Sequence, residues 1–188
     1  MIGWGGKRLG AGRKPTGKRA GVPHRSREAL RLPLPVHVTF RVANTVYNLR
    51  SQRSFSALKI AFAGAADRFG TRIVHFSVQG NHLHVIIETK DTTSLCRAMK
   101  GLAVRIARRM NRMMGRKGRV IGDRYHAHVL RTHREAQNAV AYVRENHRKH
   151  MAQAGKPFTG PWVDPFSSFA NVMVLPEPQT LLLRQCPG

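Results

Sequence analysis

Residues Gln79–Glu88, with the sequence QGNHLHVIIE, combine a turn, a pair of histidines and a β-branched run. Gly80-Asn81 is a dipeptide typical of turns, and Val85–Ile87 predicts a buried strand. Alternate residues of a strand point to the same face, so we expect His82 and His84 to project together. Two imidazoles at the end of a strand supply half of a metal site. The alternative is two half-exposed histidines on a solvated sheet face, since the chain has ten histidines.

Three further strands and a helix are predicted around this stretch. Arg72–Gln79 reads as a strand that precedes the turn, so it forms a β-hairpin with the histidine-bearing strand. Val36–Val42 alternates between apolar and polar residues and predicts the first strand, and Val120–Leu130 can form the fourth. Ser51–Phe69 carries apolar residues at helical spacing, and Gly70 lies just past its end, which predicts a helix.

A long helix is predicted at Asp91–Gly115, with leucine, isoleucine and methionine along one stripe. Its other faces carry basic side chains, which repel one another unless an anion lies against them. We interpret this surface as DNA-facing, because a merely solvated face usually mixes both signs of charge. The basic residues assigned to DNA binding on this helix and in the loop after it are Lys100, Arg105, Arg108, Arg109, Arg112, Arg116 and Lys117.

A last helix is predicted from Thr132 to about Arg148, because Thr132 and Glu135 have the spacing of a capping box. The element order is then β-α-β-β-α-β-α. The first six elements predict an α+β fold of the ferredoxin-like split βαβ type, with an antiparallel four-stranded sheet and two helices on one face. The C-terminal helix is added to this core and carries Tyr142.

Charge and composition restrict the class of protein. The chain of 188 residues has 33 Lys and Arg against 9 Asp and Glu, a formal net charge of +24. Such an excess predicts a polyanionic partner, most simply nucleic acid. No apolar run is long enough to span a bilayer, and the start lacks the apolar core of a secretory signal. Cys96 and Cys186 lack the spacing of a zinc site or a disulfide framework, so we expect a reducing compartment.

Composition also divides the chain into three predicted parts. Residues 1–32 are rich in Gly, Lys and Arg and predict a flexible basic arm. Arg13 and Lys14 in this arm are candidates for phosphate or minor-groove contacts, and a disordered solubilising tail is the alternative. Residues 33–150 form the predicted domain, and residues 151–188 predict an irregular, proline-rich tail.

Tyr142 and Asn146 are four residues apart and therefore share one face of the last helix. A positioned phenol is a competent nucleophile, and an amide oxygen is a ligand that hard divalent cations accept. Together with His82 and His84, they would form one compact phosphoryl-transfer site that uses Mg²⁺ or Mn²⁺. The alternative for Tyr142 is a half-buried aromatic side chain that packs on the sheet.

These residues resemble a known family. The pair in GNHLHVII resembles the HUH motif, histidine–bulky apolar–histidine, and AYVRENHRKH resembles the tyrosine helix of the single-tyrosine HUH transposases. The nearest branch is the REP-associated tyrosine transposases, whose helix carries Y-[IV]-x-x-N and whose preceding segment is similar to Gly122–Arg131. The resemblance covers Val36–His150 and identifies residues 33–150 as an HUH transposase domain. One departure is His147–His150, where members of the family commonly have proline after the asparagine.

The resemblance implies a DNA transposase or nickase with Tyr142 as the nucleophile. Its metal ligands are then His82, His84 and Asn146. In this family the tyrosine attacks single-stranded DNA beside a hairpin and forms a 5′-phosphotyrosine, which a 3′-OH later reverses. The expected partner is then hairpin-bearing single-stranded DNA and not a membrane. The protein is expected to be a monomer or a homodimer in the bacterial cytoplasm, associated with the nucleoid. The alternatives are a non-catalytic nucleic-acid-binding module on the same fold and a replication-initiator or relaxase-type HUH nuclease.

Overall fold

The structure of the chain, a computed structural model, describes residues 29–30, 33–170 and 175–186. The predicted arm, with Arg13 and Lys14, therefore lies almost entirely outside the described residues. No helix of the described part is both long and apolar enough to cross a membrane. The helices and strands are, in chain order, β1 (Leu34–Arg41), α1 (Gln52–Ala63), β2 (Asp67–Arg68), β3 (Thr71–Val78), β4 (His82–Thr89), α2 (Thr92–Met113), β5 (His126–Val129), α3 (His133–Gln153) and α4 (Leu181–Arg184).

All of these strands pair antiparallel in one sheet with the order β2-β3-β4-β1-β5. Without the edge strand β2, the order is that of a ferredoxin-like split βαβ sheet, which confirms the predicted fold. β3 and β4 form the predicted hairpin, in which Val78 pairs with Leu83. The predicted count of four strands is wrong by one, because β2 has only two residues and leaves no periodic pattern.

The first helix ends earlier than the predicted Ser51–Phe69. α1 ends at Ala63, and the short strand β2 follows at Asp67–Arg68. Phe69 and Gly70 have φ angles of 58° and 67°, the left-handed values that a two-residue type I′ turn requires. This turn joins β2 to β3, so Gly70 belongs to a hairpin and not to the end of a helix.

The fourth predicted strand, Val120–Leu130, forms a named strand only at His126–Val129. Residues 120–122 make hydrogen bonds and a bridge to the end of β1, but the next three residues leave this pairing. At the interruption the Asp123 carboxylate accepts a hydrogen bond from the backbone N–H of Arg124, at 2.7 Å. A side chain that bonds its own neighbouring backbone competes with strand pairing, which accounts for the shorter strand.

The sheet buries apolar side chains on both faces. α1 and α2 cover one face with the larger cluster, and α3 and α4 contribute to a smaller cluster on the other face. Strand alternation assigns neighbouring residues of β4 to opposite clusters, so that Leu83 faces α2 while Ile86 faces α3. The smaller cluster consists of Val74, Ile86, Leu130, Ala136, Ala139, Val140, Val143 and Leu183.

The last long helix begins as predicted and ends later. Thr132 is the N-cap, and its side chain and that of Glu135 form the reciprocal bonds of a capping box. The helix continues to Gln153 rather than ending near Arg148. The residues His147–His150 keep their backbone donors and extend the helix by more than a turn.

The C-terminal segment after α3 is mostly irregular but is fastened to the sheet. Asp164 is fully buried, and its carboxylate accepts hydrogen bonds from both terminal nitrogens of Arg50, at 2.8 and 2.9 Å. Arg50 also donates to the carbonyl oxygen of Val78 at the end of β3. Further along, the Glu88 carboxylate accepts hydrogen bonds from the backbone and hydroxyl of Thr180. The division into a domain at 33–150 and a tail at 151–188 stays a prediction.

One half-buried imidazole on this face makes stability depend on pH. His75 stacks on Phe169 with 4.8 Å between ring centroids, and burial lowers the pKa of His75 from 6.5 to about 4. The unfolded chain takes up this proton near pH 6.5, whereas the folded chain does so only near pH 4. The stabilising contribution is therefore complete above pH 6.5 and is lost as the pH falls towards 4.

We expect the free energy of unfolding to fall less steeply with acidification in His75→Phe than in the wild type. Phenylalanine keeps the ring stack but takes up no proton, and one proton contributes at most about 1.4 kcal/mol per pH unit. Urea unfolding at a series of pH values between 7 and 4 measures the difference. Equal slopes in the two proteins would contradict the assignment.

Candidate active site

The predicted histidine pair lies at the start of β4, on the sheet face that α3 covers. His82 and His84 project from the same side of the strand, with ring centroids 4.9 Å apart and ring planes at 89°. Their neighbours on β1 are Arg41 and Thr39, which pair with them in antiparallel register. The alternation of β4 thus brings the two imidazoles together as expected.

Each imidazole is held through its Nδ1 atom. In His84, which is only 5% exposed, this atom lies 3.1 Å from Nε2 of His37 and 3.2 Å from Oγ1 of Thr39. In His82 it lies 2.8 Å from Oδ1 of Asn81. Because Oδ1 can only accept, Nδ1 of His82 carries the proton and donates. His82 therefore keeps the lone pair of Nε2 available, and Nε2 of His84 is buried without a hydrogen-bond partner in the described part of the chain.

Burial keeps these imidazoles neutral. Burial, with a smaller contribution from nearby His37 and His82, lowers the pKa of His84 from 6.5 to about 3. Burial likewise lowers the pKa of His37 to about 4, and the pKa of His82 falls in the same direction. A neutral imidazole has the lone pair that a metal ligand needs.

α3 brings the other two predicted residues to this face. The ring centroid of Tyr142 lies 5.1 Å from that of His84 and 5.8 Å from that of His37, both in edge-on contacts. Tyr142 is 36% exposed, so its side chain is accessible from solvent. Asn146, one turn later, is 2% exposed, and its Oδ1 has no hydrogen-bond partner among the described residues.

The donor set of this face fits a divalent metal of the Mg²⁺ or Mn²⁺ type. A nitrogen of His84 and an oxygen of Asn146 are buried without hydrogen bonds, which native proteins rarely tolerate unless a ligand satisfies such atoms. The described residues contain no group of three or more His, Cys, Asp or Glu side chains that could hold a metal. A metal here would take the two imidazoles and the amide oxygen of Asn146, a mixed nitrogen and oxygen set that Mn²⁺ can accept.

Sequence reasoning missed the residues that support the pair. His37 and Thr39 alternate with the core residues of β1, so the pattern already places them on the face opposite the core. Their contact with His84 depends on the pairing of β1 with β4, which no local pattern reports. His150 was also missed; its ring centroid lies 6.0 Å from that of His82 because α3 continues past the predicted end.

The basic surface of α2 lies on the opposite face of the sheet. Lys100, Arg108, Arg109, Arg112 and Lys117 are exposed there, as their predicted role requires. Arg105 and Arg116 are partly buried and donate to backbone carbonyls, Arg105 to Gly101 and Arg116 to Thr45. The structure therefore brings Tyr142, Asn146 and the histidine pair together but not these basic residues, which the sheet separates from them.

Comparison with known proteins identifies the family. The model of IS200-like transposases matches residues 33–146, more than half of the chain. A solved structure of a REP-associated tyrosine transposase bound to a REP hairpin shares the fold, with 13% identity, a TM-score of 0.56, and coverage of 85% of this chain and 99% of that chain. A candidate transposase from Deinococcus radiodurans R1 has 17% identity, a TM-score of 0.45, and coverage of 62% and 94%, respectively. No curated protein matches the chain. The chain belongs to the family of IS200-like transposases, which confirms the predicted transposase assignment.

Proposed function

We propose that this transposase cleaves and rejoins single-stranded DNA through a covalent 5′-phosphotyrosine on Tyr142, with Mg²⁺ or Mn²⁺ as cofactor. The observation that supports the proposal is the contact between β4 and α3. There the rings of Tyr142 and His84 lie 5.1 Å apart, and the unpartnered atoms Nε2 of His84 and Oδ1 of Asn146 are buried on the same two elements. A nucleophile beside an unsatisfied nitrogen and oxygen is the arrangement that metal-assisted phosphoryl transfer needs.

In the proposed step the phenolic oxygen of Tyr142 attacks the phosphorus of a phosphodiester. A bond forms from this oxygen to phosphorus, and the bond from phosphorus to the 3′ oxygen of the preceding nucleotide breaks. The phenol's proton passes to solvent, and the leaving oxygen takes up a proton to become a free 3′-OH. The tyrosine then holds the 5′ end as a phosphodiester, and attack by a 3′-OH reverses the step without ATP.

The residues around Tyr142 have supporting roles in this proposal. Nε2 of His82, Nε2 of His84 and Oδ1 of Asn146 would hold the metal. When bound, the metal would polarise the phosphate and offset the charge that grows on the leaving oxygen. The hydrogen bonds that the two Nδ1 atoms make with His37 and with Asn81 would fix the orientation of both rings.

We infer that the substrate is single-stranded DNA with an adjacent hairpin. The net charge of +24 and the exposed arginines of α2 favour binding along a phosphate backbone. The structurally similar REP-associated transposase is bound to a REP hairpin. Because α2 and Tyr142 lie on opposite faces of the sheet, a DNA molecule that contacts both has to pass around an edge of the sheet.

A denaturing gel with labelled, hairpin-bearing single strands tests the proposal. We expect a protein-linked DNA band in Mn²⁺ or Mg²⁺ that disappears with EDTA. Specific binding without an adduct in either metal would overturn the proposal and favour the alternative, a non-catalytic nucleic-acid-binding module on this fold.

Asn146→Ala is expected to weaken Mn²⁺ binding by roughly tenfold or more, because even the loss of a residue that only supports a ligand costs that much. Asn146→Asp should restore the affinity, since its carboxylate supplies an oxygen at the same place. Isothermal titration of the DNA-free protein measures both changes independently of cleavage. Equal Mn²⁺ affinities for the wild type and both variants would exclude Asn146 as a ligand.

A further inference from the structure

A pair of aromatic side chains lies in the C-terminal segment, beyond the residues that match the family model. Phe158 and Trp162 stack with ring centroids 4.3 Å apart and an angle of 8° between their planes. The imidazole of His147 lies against both rings, 5.6 Å from Trp162 and 6.1 Å from Phe158. We call these three residues the aromatic shelf. The family model ends at residue 146, so the shelf lies outside the residues that this model matches.

The shelf contributes little to the protein core. Neither Phe158 nor Trp162 belongs to the apolar clusters on the two faces of the sheet. Both side chains are only partly buried, and their ring contacts within the described residues are to each other and to His147. Half-exposed aromatic side chains that form a patch are enriched where proteins bind a partner or ligand.

The segment that carries the shelf is held rigidly. Asp164, two residues after Trp162, is fully buried and paired with Arg50. The ring of Phe166 packs under the same Arg50 guanidinium, at 4.5 Å, and the Phe166 carbonyl accepts a hydrogen bond from the N–H of Val78. A platform fixed in this way loses little conformational entropy when a ligand binds.

The shelf also lies at the edge of the candidate active site. His147 directly follows Asn146 on α3, and His150, one turn later, contacts His82. Val78, which is bonded to the shelf segment, is paired with Leu83, the residue between the two histidines. Exposed Lys149 and Lys156 add positive charge on this side, and the Lys149 ammonium lies 5.7 Å above the Tyr142 ring.

We propose that the aromatic shelf binds an unpaired nucleobase of the single-stranded DNA next to the phosphodiester that reaches Tyr142. Aromatic rings beside a basic groove are how proteins hold single strands, because every base offers a face for stacking. The inference rests on the proposed function for the choice of strand, and it adds a base-binding position that lies outside the tyrosine and metal residues.

Binding titrations in EDTA test the shelf without cleavage. A fluorescent oligonucleotide with one hairpin and single-stranded flanks, taken from a strand that the protein binds, is titrated with four proteins. We expect Trp162→Ala to weaken binding roughly tenfold or more, as the loss of one stacked base does. Trp162→Phe, which keeps a flat ring, should stay near the wild type. Phe69→Asn, a change at an exposed aromatic residue outside the shelf, on the β2–β3 turn, should bind like the wild type.

Abasic sites provide a second arm that leaves the protein unchanged. Each flank position of the oligonucleotide is made abasic in turn and titrated with the wild type and with Trp162→Ala. At one position, we expect the abasic site to weaken wild-type binding by the same factor as Trp162→Ala does. The same abasic site should not weaken the binding of Trp162→Ala any further. If Trp162→Ala binds like the wild type, or if every abasic site costs the same in both proteins, the shelf binds no base. The adduct on a denaturing gel reports the Tyr142 chemistry separately, so failure of the shelf and failure of the proposed function are distinguishable.

Discussion

Replacing Tyr142 by phenylalanine is expected to abolish the covalent attachment of DNA while the protein stays folded. The change removes only the hydroxyl, and the ring keeps its contacts with His84 and His37. The hydroxyl has no hydrogen-bond partner among the described residues, so its loss should change the free energy of unfolding by less than about 0.5 kcal/mol. The cleavage rate should fall on the order of 10³-fold or more, as for other removed nucleophiles.

The measurement is the amount of protein-linked DNA after incubation with Mn²⁺, with thermal unfolding as the check on folding. Tyr47→Phe is the matched control, because Tyr47 is 62% exposed and lies outside the candidate site. It should form the adduct like the wild type. An undiminished adduct in Tyr142→Phe would show that another side chain is the nucleophile, and Tyr125, the remaining tyrosine, would be the next to replace.

The largest effect on stability is expected for Asp164→Ala. The Asp164 side chain is 0% exposed and that of Arg50 is 13% exposed, so the variant leaves a guanidinium largely buried without its counter-charge. Breaking a buried pair from one side typically costs about 3–5 kcal/mol. A domain of this kind has a total stability of about 5–15 kcal/mol, so the variant should unfold well below the wild-type urea midpoint.

Two variants make this prediction specific. Asp67→Ala breaks the exposed pair with Arg72, at 3.3 Å, and should cost less than about 1 kcal/mol. The double variant Arg50→Met with Asp164→Leu leaves no buried charge and should be more stable than Asp164→Ala alone. Urea unfolding followed by circular dichroism compares the proteins. If Asp164→Ala is no less stable than Asp67→Ala, the buried pair does not hold the segment.

The features that were predicted correctly depend on residues close together in the chain. Gly80-Asn81 between two β-rich runs marks the hairpin of β3 and β4, and the alternation that follows places His82 and His84 on one face. Thr132 and Glu135 mark the start of α3 by a pattern of four residues. Such signals are local, so the sequence alone reveals them.

The features that were missed depend on strand pairing that overrides a local helical pattern, or on contacts between residues far apart in the chain. The helical pattern runs on to Phe69, but Phe69 and Gly70 adopt left-handed turn angles that the pairing of β2 with β3 stabilises. His37 supports His84 from a strand 47 positions away, and no local pattern in either strand indicates the contact. The proline-rich composition after α3 predicts an irregular segment, but it does not reveal that Asp164 is buried against Arg50.

The pair between Arg50 and Asp164 also has a consequence for biosynthesis. The two residues are 114 positions apart, so a ribosome that adds about 5–20 residues per second makes Asp164 roughly 6–23 s after Arg50. During this interval the sheet and the basic helix α2 emerge, whereas α3 with Tyr142 and its anchored extension come last. The nascent chain can therefore associate with nucleic acid seconds before the proposed cutting face is assembled.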